Sequence, residues 1–190
     1  MNGPTQLPER IRSFRRNRRG VTAVEFALVA PVFLYLLIGI FEVALMMFGI
    51  AMVETAAQNA ARQLLTGTAQ SSGDAEAAFQ TELCNNLTVV YDCNDIILDV
   101  RTYASFTAVT IPDIKINGNG DLVYEDGDND DSNDVLFTAE FSAGGASEIM
   151  VVRAIYSWDF ATPYIGTLIG DSSGRKSLQT TVVFRSEPYQ

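Results

Sequence analysis

An apolar run from Val21 to Val53, broken only by Thr22, Glu25, Glu42 and a few small residues, leaves this 190-residue chain few ways to fold. A bilayer core about 30 Å thick is crossed by roughly 20 helical residues. The run is long enough to do so. Six arginines (Arg10, Arg12, Arg15, Arg16, Arg18 and Arg19) stand immediately before it. By the positive-inside rule they hold the N-terminus in the cytoplasm and send the C-terminal part across the membrane. A secretory signal has an apolar stretch of only about 7–15 residues followed by a small-residue cleavage site. Here the pattern continues as a helix instead. Val53, Ala56, Ala57, Ala60, Ala61, Leu64 and Leu65 recur at spacings of three and four. Gly67 and the Gly/Ser-rich stretch to Gly73 end the helix. A helix over 21–66 would be about 69 Å long at 1.5 Å per residue. Its first part suits lipid and its second suits packing against a folded domain.

Charge is divided in the same way. The formal net charge is -10, yet residues 1–20 carry about +5 and the remainder about -15. Histidine is absent, which excludes Ser-His-Asp triads, histidine general bases and histidine-ligated metal. No catalytic residue, metal or cofactor is expected, and nucleic acid is not expected as a partner. The cysteines are Cys84 and Cys93, too few for a four-thiolate cluster. On the far side of the membrane thiols are oxidised, so a structural disulfide is expected, with free or metal-binding thiols as the alternative.

Beyond 66 the pattern predicts an α+β domain over 67–190. Asp74 and Glu76 open a short helix marked by Ala75, Ala78, Phe79 and Leu83. Branched residues predict strands over 96–103, 106–111, 135–141, 149–158 and 178–185. Asn117-Gly118-Asn119-Gly120, between Ile114–Ile116 and Leu122–Tyr124, predicts a hairpin. In 149–158, Met150, Val152, Ala154, Tyr156 and Trp158 alternate with a set containing Arg153 and Ser157, as in a strand with one apolar face. The expected arrangement is an antiparallel sheet packed on the amphipathic half of the long helix.

Several motifs are read as decoys. Gly170-Asp171-Ser172-Ser173-Gly174 fits a nucleophile elbow, but no histidine can serve its serine, and a turn between Gly166 and the last strand is the better reading. The acidic segment 126–134 fails the EF-hand pattern, since its sixth and twelfth positions hold Asp131 and Phe137. A solvated loop is expected there, with an irregular calcium loop as the alternative. Asn86-Leu87-Thr88 fits a glycosylation sequon and is read as coincidence. Glu42 is expected near the far edge of the membrane, either solvated or against a partner helix. Pro31 removes one helical hydrogen bond.

The start of the run carries a resemblance. Gly20-Val21-Thr22-Ala23-Val24-Glu25-Phe26 looks like a type IV prepilin cleavage site. More narrowly, Arg15 to Glu42, with similarity continuing to about Arg62, resembles the TadE-like pseudopilins of the tight-adherence (Tad) pilus. Weaker echoes lie in VVRAIYSW (Val151 to Trp158), TPYIG (Thr162 to Gly166) and FRSEPY (Phe184 to Tyr189). The resemblance implies a pilin-like domain and a prepilin peptidase that cuts between Gly20 and Val21. It implies assembly roles for Glu25 and Phe26 in the mature chain. It also implies as partners the bacterial inner membrane and the other pilins and pseudopilins of the Tad machinery, with adhesion as the outcome. The division expected is a basic cytoplasmic leader over 1–20, a membrane and amphipathic helix over 21–66, and a periplasmic domain over 67–190. The alternative is a single-pass signal-anchor protein with a periplasmic binding domain and no filament role.

Overall fold

The computed structural model describes residues 20–87, 92–125, 134–170 and 174–188. The arginine cluster, most of the acidic segment, Thr88 of the sequon and residues 171–173 lie outside the described residues. The chain divides into two compact units, Met1–Phe41 and Glu42–Gln190. One helix, α1 (Val21–Leu65), runs from the first into the second.

The described part of the first unit is the start of α1. Its side chains are apolar on every face and nearly all exposed, among them Val24, Leu28, Val32, Leu36 and Ile40. A helix that is apolar all round suits a lipid environment. Mean hydropathy over the best 18-residue window of α1 is 2.4, enough to cross a membrane. Pro31 lies inside the helix without ending it.

In the second unit α1 becomes one-sided. Glu42, Met46, Gly49, Val53, Ala56, Ala57, Ala60, Ala61 and Leu64 are buried, at helical spacings that mark one stripe. Gly67, with φ of 77°, takes the left-handed conformation that ends the helix. A single turn, α2 (Thr68–Ser71), follows, and then α3 (Ala75–Asn86). Asp74 caps α3 by accepting from the amide of Ala77 at 3.0 Å.

The sheet is antiparallel with order β1-β4-β5, formed by β1 (Ile96–Tyr103), β4 (Ile149–Asp159) and β5 (Arg175–Arg185). Val100 pairs with Val152, and Val152 with Val182. β2 (Ile114–Ile116) and β3 (Leu122–Tyr124) make the expected hairpin. The core joins the α1 stripe to Phe79 and Leu83 of α3 and to Ile96, Val100, Met150, Val152 and Ala154. Burial of each large side chain contributes about 1.5–3 kcal/mol. The α+β arrangement with the sheet on the amphipathic half of the helix is as expected.

Three features differ from expectation. Residues 106–111 are not a strand. Phe106–Ala108 form a 3₁₀ turn, the Ser105 and Thr107 hydroxyls bond each other at 2.9 Å, and Pro112 has no amide to donate. Residues 135–141 are not a strand either, because the segment changes partner midway. It bonds β3 through Tyr124 and Phe137, then β1 through Val100, while the amide of Glu140 goes to the Asp99 carboxylate at 3.0 Å. Finally, β4 is buried on both faces from Ile149 to Ile155. Arg153 lies inside because the carbonyl of Pro112, the Gln179 side chain and the face of the Phe137 ring receive its guanidinium. Burial lowers the Arg153 pKa from its ordinary value, with the Asp99 charge opposing.

Candidate functional site: the helix start and the Glu42 junction

Gly20 is exposed at the start of α1, and its carbonyl accepts from the amide of Val24 at 3.1 Å. A side chain built on Gly20 would meet no atom within 4 Å. Nothing in the described fold therefore requires glycine here. Val21 is the first helical residue, so the Gly20–Val21 peptide sits where a helix frays most readily. Opening the Gly20–Val24 bond costs about 1 kcal/mol. Glu25 lies four residues after Val21, on the same face of the helix. Glu25 is exposed, and Phe26 beside it is 71% exposed. The structure thus places Gly20, Val21, Glu25 and Phe26 within about two accessible turns.

Cys84, near the end of α3, is bonded to Cys93, just before β1, with Cα atoms 5.5 Å apart. The disulfide anchors α3 to the first strand of the sheet. Asn59 and Gln63 of α1 meet Asn86 and Glu82 of α3 at 3.2 and 3.1 Å, so the same helix is also tied to α1 by side chains.

Sequence reasoning missed a second constellation, at Glu42. This residue is 8% exposed rather than solvated, and the helix it meets belongs to its own chain. Its carboxylate accepts from the backbone amide of Ala161, and from that of Thr162 at 3.2 and 3.3 Å. Those amides belong to the start of a short helix, α4 (Pro163–Ile169), whose last residues replace the turn expected after Gly166. Pro163 occupies the first turn, where a missing amide does no harm, and Thr162 makes no side-chain cap of its own. The free amides at the start of a helix carry partial positive charge, and Glu42 supplies the oxygens they need. Gly166 lets α4 lie close to the β5 entry, since a Cβ there would come within 3.0 Å of the Gly174 carbonyl. The recoverable signals were the spacing of Glu42 with Met46, Gly49 and Val53, and the Thr162-Pro163 pair, an N-cap residue type followed by a proline suited to a first helical turn.

The other echoes also have places in the fold. VVRAIYSW lies within β4. In FRSEPY the Ser186 hydroxyl donates to the Gly145 carbonyl at 2.6 Å, and the amide of Glu187 donates to the Leu65 carbonyl at 2.8 Å. The chain end thereby satisfies one of the open carbonyls at the end of α1.

Fold and surface define the class: a protein with one N-terminal helix long and apolar enough to cross a membrane, followed by an α+β domain. Residues 20–62 match the family model described as TadE-like protein, from Gly20 through most of α1. The match is confined to the apolar helix. It stops before β4, α4 and the terminal motif, which it leaves uncompared. No curated protein and no solved structure matches the chain significantly.

Proposed function

We propose that the protein is a minor pseudopilin of a Tad-type pilus, anchored in the bacterial inner membrane and processed by a prepilin peptidase between Gly20 and Val21. In this reading residues 1–20 are cytoplasmic and are removed, and the domain after α1 is periplasmic. The observation that carries it is the exposed Gly20–Val21 junction, with Glu25 one helical turn further on, at the head of a helix that matches the TadE-like family over residues 20–62. An open space around Gly20 suits a site selected for access rather than packing. A Cys84–Cys93 disulfide suits an oxidising compartment. Cleavage creates an amine on Val21 that can meet a Glu25 carboxylate of the same or a neighbouring subunit. At low dielectric such a pair forms well only in register, which supports subunit alignment and so pilus assembly and adhesion.

The test is the N-terminal sequence and mass of the protein recovered from a host that has the peptidase. The expected result is a mature chain beginning at Val21, while Gly20→Arg remains about 20 residues longer because bulk and charge block the protease. A wild-type chain that keeps its first residues in that host would instead support a plain signal anchor.

A further inference from the structure

Apolar side chains are exposed outside α1, some of them on α4. Residues 160–170, Phe160 to Gly170, contain no charged side chain in a chain of net charge -10. Within them α4 exposes Leu168 to 82% and Tyr164 to 74%. These residues are four apart, so they share one face of the helix. A large apolar side chain and a tyrosine exposed together are costly in water, but they are the composition of a membrane–water interface.

Glu42 fixes the level at which this face lies. Residues 21–41 supply the roughly 20 needed to cross a bilayer core, so Glu42 follows the span directly. Leu45, Met47 and Phe48 remain exposed beyond it, so the apolar belt of α1 continues for about two more turns. A bare carboxylate in that belt is unfavourable. Here it is covered by the amides of Ala161 and Thr162, which places the first turn of α4 at the same height as Glu42. Asp159, the acid just before this segment, is paired with Arg175 at 2.9 Å, which lessens its repulsion from anionic lipid.

From this we infer that α4 is a second membrane contact: a short helix lying in the outer interface of the membrane that α1 crosses, with Tyr164 and Leu168 turned to the acyl–headgroup boundary. The inference rests on the membrane anchoring of α1 and is independent of processing or filament assembly. The second contact would restrict rotation of the domain about α1, because a helix in the interface plane cannot swing into water without exposing both side chains.

The experiment places a nitroxide label on Leu168→Cys, or separately on Tyr164→Cys, in the full chain. Cys84 and Cys93 stay bonded to each other and unlabelled. The protein is reconstituted into vesicles of phosphatidylethanolamine and phosphatidylglycerol. Collision rates with oxygen, which favours lipid, and with a water-soluble nickel chelate are compared with those at Gln58→Cys on the exposed face of α1. Oxygen-to-nickel ratios several-fold higher at 164 and 168 than at 58, unchanged as lipid excess rises, are the expected result. Ratios equal to that at 58 would overturn the inference. So would protection that fades as lipid excess rises, since that would show a second copy of the chain covering α4.

Discussion

Removing the Glu42 carboxylate should loosen one small part of the domain by an amount that follows from its contacts. Glu42→Ala leaves the amides of Ala161 and Thr162 without their acceptor. A buried donor left unsatisfied costs about 1–3 kcal/mol, and a hydrogen bond to a charged group is worth about 1.5–3 kcal/mol. Because α4 is at the surface, its first turn can open partly to water, which brings the expected loss to about 2 kcal/mol. At about 1.4 kcal/mol per tenfold, that is a rise of about 30-fold in local opening. Glu42→Gln keeps the length and one acceptor oxygen but not the charge, so its loss should be about 1 kcal/mol, or about fivefold. Amide hydrogen exchange of the full chain in detergent micelles reads this directly at Thr162, Ile165 and Gly166, the last two of which bond the Thr162 carbonyl at 3.1 Å. Val152, in the centre of the sheet, is the reference. Faster exchange at α4 with Val152 unchanged is the expected outcome. Unchanged protection of Thr162 in Glu42→Ala would refute the capping role, and equal acceleration at Val152 would show that the loss is global.

Three further outcomes are expected. Replacing both Cys84 and Cys93 by serine should cost about 2.6 kcal/mol, the chain-entropy value for closing a loop of nine residues, read as a shift of the denaturation midpoint; an unshifted midpoint would contradict it. Ala60→Leu should cost about 1–3 kcal/mol by overpacking, since Ala60 is fully buried against the sheet, and a variant as stable as the parent would mean that α1 can move off the sheet freely. Glu25→Ala is hypothesised to leave membrane level and processing intact while abolishing surface pili, because the Val21 amine loses its partner; normal pili with the variant as sole copy would refute the assembly role.

Elements with a strong period were legible before the fold was known. β1 runs from Ile96 to Tyr103 as its branched residues indicate, and α1 ends at Leu65, one residue short of expectation. β5 begins at Arg175 rather than Leu178, since Arg175, Lys176 and Ser177 carry no apolar alternation and become strand only by pairing with Asp159, Trp158 and Ser157. The failures share a cause. Residues 106–111 and 135–141 have strand composition but no continuous neighbour, and composition alone does not provide one. α4 has seven residues, with a proline and a glycine among them, too few to show a helical period. Arg153 reads as a surface residue because its partners at Pro112, Phe137 and Gln179 are distant in sequence. Gly20, Val21, Glu25 and Phe26 stand out as candidates in the sequence because they are consecutive or nearly so. Glu42 does not, because its meaning depends on amides 119 and 120 residues away.

The second half of α1 is held to the domain at both ends as well as along its length. At one end Glu42 bonds the start of α4, and at the other the Leu65 carbonyl accepts from Glu187 after β5. These ties are about 35 Å apart along the helix. Between them the contact is made mostly by small residues, Ala56, Ala57, Ala60 and Ala61, while Val53 and Leu64 supply larger apolar surface. An alanine face alone resists sliding weakly, because it offers few side chains that interlock with the sheet. Polar ties at the ends correct this, since an axial shift of one residue, about 1.5 Å, would misalign both sets of hydrogen bonds together. The domain half of α1 therefore has a defined register against the sheet. A force applied along this half of the helix reaches β5 and α4 through hydrogen bonds as well as through apolar packing.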